Sequence, residues 1–365
     1  MPEIYLGLMS GTSLDGVDAV LADFEPKIPQ PLQQKTYAIP TQLRDDLLRI
    51  STNETASYLE VAQLDISFGH LLADIAVDLL ARANLQAEQI IAIGSHGHTL
   101  AHRPNDNLAF SLQIGNAHVL NKKTGITVVA DFRPSDIAVG GQGAPFACAF
   151  HDYLFKGENL AIVNIGGISN TTLIRRDKPT LGYDSGPGNC LMDSWIQSQL
   201  DLPYDDNGEF ASRGQVNPDL LKQLLRDDYF SEAIPKTTGR DKFNLDWLQQ
   251  QLKHYGTELS PEEIQTTLLQ FTIETIAAPL LDLSTNLDEI LICGGGSHNQ
   301  MLMQALADRL NPLPVSSIDA RGVGADWVEA LAFAWLAKMT LSQQPGNLPS
   351  VTGAREATIL GGIFR

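Results

Sequence analysis

The 365-residue chain is short of cysteine and of positive charge. Its three cysteines, Cys148, Cys190 and Cys293, are scattered and odd in number. This pattern excludes a disulfide framework and predicts a reducing compartment. Lysine and arginine number 25 against 43 aspartates and glutamates, so the net charge is −18. Such a charge argues against nucleic acid and anionic membranes as partners, because both need a basic face.

The chain also lacks targeting signals and long apolar runs. Residues 1–7 contain neither the basic region nor the apolar region of a signal peptide. No uncharged apolar run reaches the roughly 18 residues that a membrane span needs. The composition is 43% hydrophobic and 19% charged, which is typical of a globular enzyme with ample cores. We therefore expect a cytoplasmic protein of two domains, or of one large domain.

Strand-like runs alternate with long helical stretches. Strands are predicted at residues 4–9, 17–24, 90–95, 127–130, 160–165, 171–174 and 289–293. Apolar residues at three- and four-residue steps predict helices around 64–79, 264–275 and 327–338. This alternation predicts an α/β fold.

Two stretches repeat one plan about half a chain apart. Residues 4–24 and residues 160–177 each follow the order strand, polar glycine-rich loop, strand. This repetition predicts two domains built alike. Glycine and proline cluster at 138–150, which places a boundary there. The predicted domains are residues 1–140, to which 340–365 return, and residues 141–339.

The loops of these two hairpins carry hydroxyl and amide side chains as well as glycines. Glycines let the backbone approach a ligand and point N–H groups at it. Two such loops across a cleft would hold the phosphates of one nucleotide, with Asp15 and Asp18 orienting Mg²⁺ directly or through water. The alternative is a pair of ordinary hairpin turns. The polar side chains concerned are Ser10, Thr12, Ser13, Ser169 and Asn170.

A third glycine cluster, Gly294–Gly296, follows a predicted buried strand and precedes a predicted helix. Its backbone can lie against a flat ring or a phosphate near the start of the helix. The stretch matches neither GxxxxGK[ST] nor GxGxxG, so a P-loop and a dinucleotide fingerprint are not supported. The alternative is a tight strand-to-helix turn.

The best acid–base candidate is Asp184, at the edge of a Ser-Gly-Pro-Gly turn. A carboxylate held there can take a proton from a nucleophile. The alternative is an aspartate that forms the turn or caps a helix.

Three histidines, His96, His98 and His102, follow a predicted strand but do not match the common zinc spacings. They are more typical of a strand end that contacts substrate. Arg133 either binds a carboxylate bidentately or forms an ordinary salt bridge. Glu329 either is solvated or reaches into a site. The sequence contains no GxSxG elbow, HExxH motif or EF-hand loop.

Together the motifs resemble those of the anhydro-N-acetylmuramic acid kinase family, within the superfamily of actin-like ATPases, sugar kinases and heat-shock chaperones. The matching stretches are "GLMSGTSLDGVDAVL", "GSHGHT", "LQIGNA", "TGITVVADFR", "GGQGAP", "NIGGISN", "DSGPGN", "CGGGSHN", "EALAFAWLA" and "PSVTGA". They span nearly the whole chain in family order, and jointly they are very specific. One departure is His98, where the family pattern has glutamine, so the role of that position is open.

The resemblance implies an α/β fold of two duplicated actin-like, ribonuclease-H-like ATPase domains around a nucleotide cleft. It implies an enzyme that uses ATP and Mg²⁺ to open the anhydro ring of 1,6-anhydro-N-acetylmuramic acid with water and to phosphorylate O6. The products are N-acetylmuramic acid 6-phosphate and ADP, in the recycling of cell-wall peptidoglycan sugars. It also implies a homodimer in the bacterial cytoplasm.

The resemblance also assigns roles to residues by their places in the motifs. Asp184 is expected to be the catalytic base, and Asp15 or Asp18 is expected to contact Mg²⁺. Thr99, Arg133 and Glu329 are expected to bind the sugar, with Arg133 pairing with the lactyl carboxylate. The residues expected to bind ATP are Gly11, Thr12, Ser13, Leu14, Asp15, Gly16, Val17, Asp18, Gly166, Gly167, Ser169, Asn170, Gly294, Gly295, Gly296 and Asn299.

Other functions on the same fold are alternatives. One is a kinase of another amino sugar, and another is a non-catalytic sugar sensor or an ATP-driven chaperone. Asp184 and the intact glycine loops argue against a sensor, and the lack of a separate peptide-binding domain argues against a chaperone. A glycoside hydrolase would need two carboxylates flanking the sugar and no ATP loops.

Overall fold

The structure is a computed structural model that describes residues 1–11, 14–53, 55–283 and 287–365. The strands are β1 Ile4–Met9, β2 Val17–Asp23, β3 Gln30–Tyr37, β4 Ala92–Ser95, β5 His98–Arg103, β6 Phe110–Ile114, β7 Val128–Ala130, β8 Leu160–Ile165, β9 Ile168–Arg175, β10 Lys178–Pro187, β11 Glu289–Cys293, β12 Val315–Ser317 and β13 Gly362–Phe364. The helices are α1 Thr41–Asn53, α2 Tyr58–Ala83, α3 Ala117–Thr124, α4 Arg133–Ala138, α5 Ala147–Phe155, α6 Cys190–Leu200, α7 Pro218–Leu224, α8 Leu245–Tyr255, α9 Pro261–Leu283, α10 Gln300–Leu310, α11 Val328–Leu341 and α12 Pro349–Thr352.

The chain divides into two units. The first comprises residues 1–154 and 327–365, and the second comprises residues 155–326. These boundaries differ from the predicted ones, which lay after residues 140 and 339. The difference arises because α11 packs on strands of the first sheet. In addition, the Trp335 ring of α11 packs against the rings of Phe150 and Tyr153 of α5, with ring centroids 5.8 and 5.5 Å away.

The two main sheets share one topology over five strands, and β13 adds a sixth strand to the first, antiparallel to β7. The order in the first unit is β13-β7-β4-β1-β2-β3, and the order in the second is β10-β9-β8-β11-β12. β1 pairs antiparallel with β2 and parallel with β4, just as β8 pairs antiparallel with β9 and parallel with β11. In each sheet three antiparallel strands continue into a parallel pair. The prediction of an α/β protein with a duplicated plan is therefore confirmed. β5 and β6 form a separate two-stranded ribbon.

Each unit has its own hydrophobic core. In the first, Leu6 and Leu8 of β1 pack with Phe68 and Leu72 of α2. In the second, strands β8 and β11 pack with helices α6, α9 and α10. β1 is buried along its whole length, as expected for a central strand covered on both faces. Within the described residues, none of the helices combines the length and the apolar character that crossing a membrane requires.

Glycines in the first sheet allow α11 to approach it closely. A Cβ atom on Gly7 of β1 would collide with the C=O of Ala330, and one on Gly94 of β4 would collide with the C=O of Phe333. The helix therefore lies directly on the two central strands. Its first turn contains Glu329 and lies near the end of β1, where the first glycine loop begins.

Candidate active site

Asp184 is held by hydrogen bonds at several atoms. Its N–H donates to the C=O of Lys236 at 2.9 Å, and its C=O accepts from the Tyr229 hydroxyl at 2.6 Å. Its Oδ2 accepts from the Thr238 N–H at 3.0 Å, whereas Oδ1 accepts no hydrogen bond from the described residues. Burial raises the pKa of Asp184 to about 6, and the Thr238 N–H opposes that rise. The carboxylate is therefore fixed in place with one oxygen left to accept a proton.

The sequence placed Asp184 at the edge of a turn, but the residue lies within strand β10. The register of β10 against β9 shifts between Asp184 and Gly186, which marks a β-bulge. A bulge redirects the side chains beside it and is frequent next to active sites. The neighbouring Ser185 hydroxyl bonds to Thr171 at 2.9 Å, which fixes the bulge to β9.

The loop between β8 and β9 is anchored through its carbonyl groups. The C=O of Gly166 accepts from the N–H of Asn189 at 2.8 Å, and the C=O of Gly167 accepts from Gly188 at 2.9 Å and from Cys190 at 3.1 Å. In the described part of the chain, the N–H groups of Gly166 and Gly167 donate to no carbonyl. Free N–H groups on a fixed glycine loop are suited to bind an anion.

The two polar residues after these glycines lie in the sheet. The Ser169 side chain is fully buried and its hydroxyl donates to the C=O of Gly186 at 3.3 Å. Asn170 lies between Asn164 and Asp184 in the strand register. The Ser169 hydroxyl thus holds β9 to β10, and Asn170 is placed directly beside the candidate base.

The third glycine cluster packs against the same loop of the second unit. Gly294 has a φ of 76°, and its N–H donates to the C=O of Ala325 at 3.0 Å. A Cβ atom on Gly296 would collide with the Ile165 side chain, whereas Gly295 has space around it. Asn299 caps α10, since its Oδ1 accepts from the Leu302 N–H at 3.0 Å. The structure therefore brings residues 165–170 and 294–296 together.

The first glycine loop belongs to the first unit, and two of its predicted ligands, Thr12 and Ser13, lie outside the described residues. Leu14 and Val17 are buried in the core, so only their backbone is available to a ligand. Asp15 is exposed. The Ser10 hydroxyl is buried and has no partner among the described residues, as expected for a group that a ligand completes.

Asp18 and Glu329 form an acidic neighbourhood in the first unit. Asp18 is half-buried on β2, and its Oδ1 accepts from the Thr36 hydroxyl at 2.6 Å. Burial raises the pKa of Glu329, the charge of Asp18 raises it further, and Arg133 opposes the rise. No group of three metal-ligating side chains occurs in the described ranges. A pair of carboxylates fits Mg²⁺, which binds one or two of them and completes its shell with water and substrate phosphates.

Arg133, at the start of α4, is fixed by two partners in the first unit. Its Nη1 donates to the C=O of Gly143 at 2.8 Å, and its Nη2 lies 2.9 Å from His96 Nε2. Burial lowers the pKa of Arg133 to about 10, so the guanidinium stays charged at neutral pH. Burial and the charge of Arg133 lower the pKa of His96 well below its usual value. His96 is therefore a neutral acceptor that orients Arg133, while its Nδ1 bonds to the Gly97 C=O at 3.1 Å.

The β5–β6 ribbon carries a line of polar side chains. Gln113 Nε2 donates to the hydroxyls of Thr99 at 3.0 Å and Ser111 at 2.7 Å, and Ser111 bonds to His102 at 3.0 Å. Burial and the charge of Arg133 lower the pKa of His102 to about 4. The ribbon thus places neutral hydrogen-bonding groups in the electrostatic neighbourhood of Arg133.

His98 is fully buried, and neither ring nitrogen has a partner among the described residues. It packs edge-on against Phe68 at 6.1 Å, and burial lowers its pKa to about 4. His98 is therefore an uncharged core residue.

Sequence reasoning missed the groups that hold two of the candidate side chains, Asp184 and Arg133. For Asp184 these are Tyr229, Lys236 and Thr238; for Arg133 it is His96, which was grouped only with a strand end. The sequence feature that could have indicated the Asp184 partners is the polar segment "KTTGRDKFN", from Lys236 to Asn244, which lies between two helical regions.

The chain is similar to known proteins over its whole length. A family model described as anhydro-N-acetylmuramic acid kinase matches residues 3–365. A protein of that name from Shewanella frigidimarina is 48% identical over 100% of this chain and 99% of its own length. One from Coxiella burnetii is 44% identical over 99% of this chain and 97% of its own length. One similar solved structure is the activator of 2-hydroxyisocaproyl-CoA dehydratase from Clostridium difficile with bound ADPNP. Its sequence identity is 11% and its TM-score is 0.45, and the match covers 93% of this chain and 97% of that chain.

Proposed function

We propose that this chain, which belongs to the anhydro-N-acetylmuramic acid kinase family, uses ATP to convert 1,6-anhydro-N-acetylmuramic acid into N-acetylmuramic acid 6-phosphate. Its metabolic role is the recycling of peptidoglycan sugars. The observation that carries the mechanism is the state of Asp184, a fixed carboxyl whose pKa is raised to about 6 and whose Oδ1 accepts no hydrogen bond from the described residues.

In the proposed reaction Asp184 removes a proton from water. The water oxygen bonds to the anomeric carbon, the bond from that carbon to O6 breaks, and its electron pair remains on O6. O6 then bonds to the γ-phosphorus of ATP, and ADP leaves with the electron pair of the broken P–O bond. Proton removal by a positioned base typically accelerates such a step by about 10²–10⁴-fold.

The proposed binding roles follow the residues already described. The free N–H groups of Gly166 and Gly167 support phosphate binding, and the backbone of Gly294–Gly296 supports binding of the nucleoside. In the first unit, the buried Ser10 hydroxyl, which has no partner among the described residues, supports the proposal that the loop after it also binds phosphate. Bound Mg²⁺ would neutralise charge on the phosphate oxygens, and Asp18 with Asp15 or Glu329 would hold it.

Sugar binding is proposed for Arg133, Thr99 and Glu329. Arg133 is half-buried, charged and oriented by His96, which suits bidentate pairing with the lactyl carboxylate. The Thr99 hydroxyl and the Glu329 carboxyl would bond with sugar hydroxyl or amide groups.

We also propose that the protein acts as a homodimer in the bacterial cytoplasm. Light scattering in solution measures the assembly directly, and a homodimer has twice the chain mass of 39.7 kDa. A mass equal to one chain, at the concentrations at which the enzyme is active, would rule the dimer out.

Release of ADP with a panel of amino sugars tests the proposed substrate. The purified protein, ATP and Mg²⁺ should release ADP fastest with 1,6-anhydro-N-acetylmuramic acid. Faster release with a different amino sugar would instead establish the alternative of another kinase of the same superfamily.

A further inference from the structure

A short polar segment of the second unit, residues 236–240, contacts two parts of the candidate site. Its Lys236 C=O and Thr238 N–H bond to Asp184 at 2.9 and 3.0 Å. Two residues further along the segment, the Arg240 side chain lies against the backbone of Gly167. One segment therefore fixes the candidate base and places an arginine at the glycine loop.

The Arg240 guanidinium occupies the space next to the Gly167 backbone. A Cβ atom on Gly167 would collide with Nε, Cζ and Nη2 of the guanidinium, whereas one on Gly166 would meet nothing closer than 3.5 Å. The guanidinium thus covers one side of the loop. The N–H group of Gly167 itself donates to no carbonyl of the described residues.

The Arg240 guanidinium forms no ion pair with a carboxylate in the described ranges. Its side chain is exposed, whereas Arg309 of the same unit is paired with Glu274 at 3.0 Å. The Arg240 backbone is fixed, since its C=O accepts from Asn244 Nδ2 at 3.2 Å. A guanidinium without an ion pair, held next to a glycine whose N–H donates to no carbonyl of the described residues, is suited to bind a phosphoryl group.

We propose that Arg240 contacts the phosphoryl group that is transferred from ATP and stabilises the negative charge that develops on it. This inference rests on the proposed function and adds a catalytic residue to it. As O6 bonds to the γ-phosphorus and the bond to the ADP oxygen breaks, Arg240 donates hydrogen bonds to the equatorial phosphoryl oxygens. It neither gains nor loses a proton. Arginines that act in this way in other phosphoryl-transfer enzymes contribute about 10³–10⁵-fold.

Kinetics of Arg240→Ala and Arg240→Lys test this role. We expect kcat of Arg240→Ala to fall by roughly 10²–10³-fold, while KM for the sugar and the affinity for ADP stay within about threefold. Lysine should restore only part of the rate, because it lacks the planar fork that binds two oxygens. The matched control is Arg226→Ala, an exposed arginine of the same unit, which should match the wild type. A kcat for Arg240→Ala within about threefold of the wild type would overturn the proposal.

A second measurement separates this proposal from the proposed function, because it uses no sugar. Calorimetry compares the binding of ADP and Mg²⁺ with and without aluminium fluoride, which mimics the phosphoryl group in transfer. Aluminium fluoride should tighten ADP binding by the wild type and by Arg226→Ala, but not by Arg240→Ala. Equal tightening in all three proteins, or none in the wild type, would contradict the role of Arg240. Failure of the wild type to phosphorylate the sugar would contradict only the proposed function.

Discussion

Burial and hydrogen bonding act in opposite directions on the pKa of the Asp184 carboxyl. Burial disfavours the charged form, the Thr238 N–H favours it, and the result is a pKa of about 6. A general base works best when its pKa lies near the working pH, because it is then ionised and still basic. Such a shift in a fixed carboxyl is typical of functional sites.

Replacing this carboxyl tests its role. Asp184→Asn keeps the shape and an acceptor for the Thr238 N–H but cannot take a proton, so kcat should fall by roughly 10²–10⁴-fold. The affinity for ATP should stay nearly unchanged. Asp177→Asn, at an exposed position between β9 and β10, is the matched control and should leave kcat as in the wild type. Retention of activity by Asp184→Asn, in steady-state assays, would exclude Asp184 as the base.

The raised pKa also predicts how activity depends on pH. The base must be ionised, so kcat/KM should fall below a pH of about 6 and level off above it. The raised pKa of Asp184 also affects stability, because the folded protein holds the proton more tightly than the unfolded chain does. This stabilisation is fully present below pH 3.8, the ordinary pKa of the group, and is lost as pH rises through about 6. Asp184→Asn should therefore unfold at a higher temperature than the wild type at pH 7. A pH–rate profile that is flat between pH 5 and 7 would contradict this account.

Arg133 is expected to contribute to binding of the sugar rather than to the chemical step. Arg133→Ala removes the proposed partner of the lactyl carboxylate, so KM for the sugar should rise by roughly 10- to 100-fold while kcat changes little. The matched control is a substrate analogue without the lactyl group, for which wild type and variant should have similar KM values. An unchanged KM for the natural sugar would refute the role.

At the scale of elements, helix α11 depends on the glycines beneath it. Gly7→Ala places a methyl group against the Ala330 C=O and should destabilise the first unit by about 1–3 kcal/mol. The control is Gly362→Ala in β13 of the same sheet, where a Cβ atom meets nothing closer than 3.4 Å. Thermal unfolding should distinguish the two variants, and equal midpoints would show that the helix adjusts without cost.

Most central elements were predictable from the sequence because their apolar patterns are strong. The predicted strands 4–9, 160–165 and 289–293 have the observed bounds, and the three predicted helices lie within or overlap α2, α9 and α11. β10 was not predicted, because its prolines and glycines are typical of turns and only pairing with β9 makes it a strand.

The hydrogen bonds that individual loop residues make within the chain were not predictable from the sequence. Asn299 and Ser169 have the side chains expected of ligand contacts, yet one caps α10 and the other joins two strands. The same residue types serve all of these purposes, so local sequence cannot separate them. Contacts made across long stretches of chain, such as those of Thr238 and His96, carry no local pattern at all.

At the scale of the whole molecule, the duplicated plan was visible in two hairpins, whereas the boundaries were not. Residues 327–365 join the first unit from the far end of the chain, through packing that no local composition reveals. Each unit carries glycine-rich loops after the first strand of its hairpin, at residues 10–16 and 166–167. The repeated topology thus gives each unit a comparable glycine-rich loop.

The central claim is that one reaction couples ring opening by water to transfer of phosphate onto O6. Its most direct test is the reaction of the protein with ATP, Mg²⁺ and 1,6-anhydro-N-acetylmuramic acid in water enriched in heavy oxygen, followed by mass spectrometry. The account predicts a phosphorylated sugar with one heavy oxygen, at the anomeric carbon, and none in the phosphate. A phosphorylated sugar without the label, or label found only in free phosphate, would contradict it.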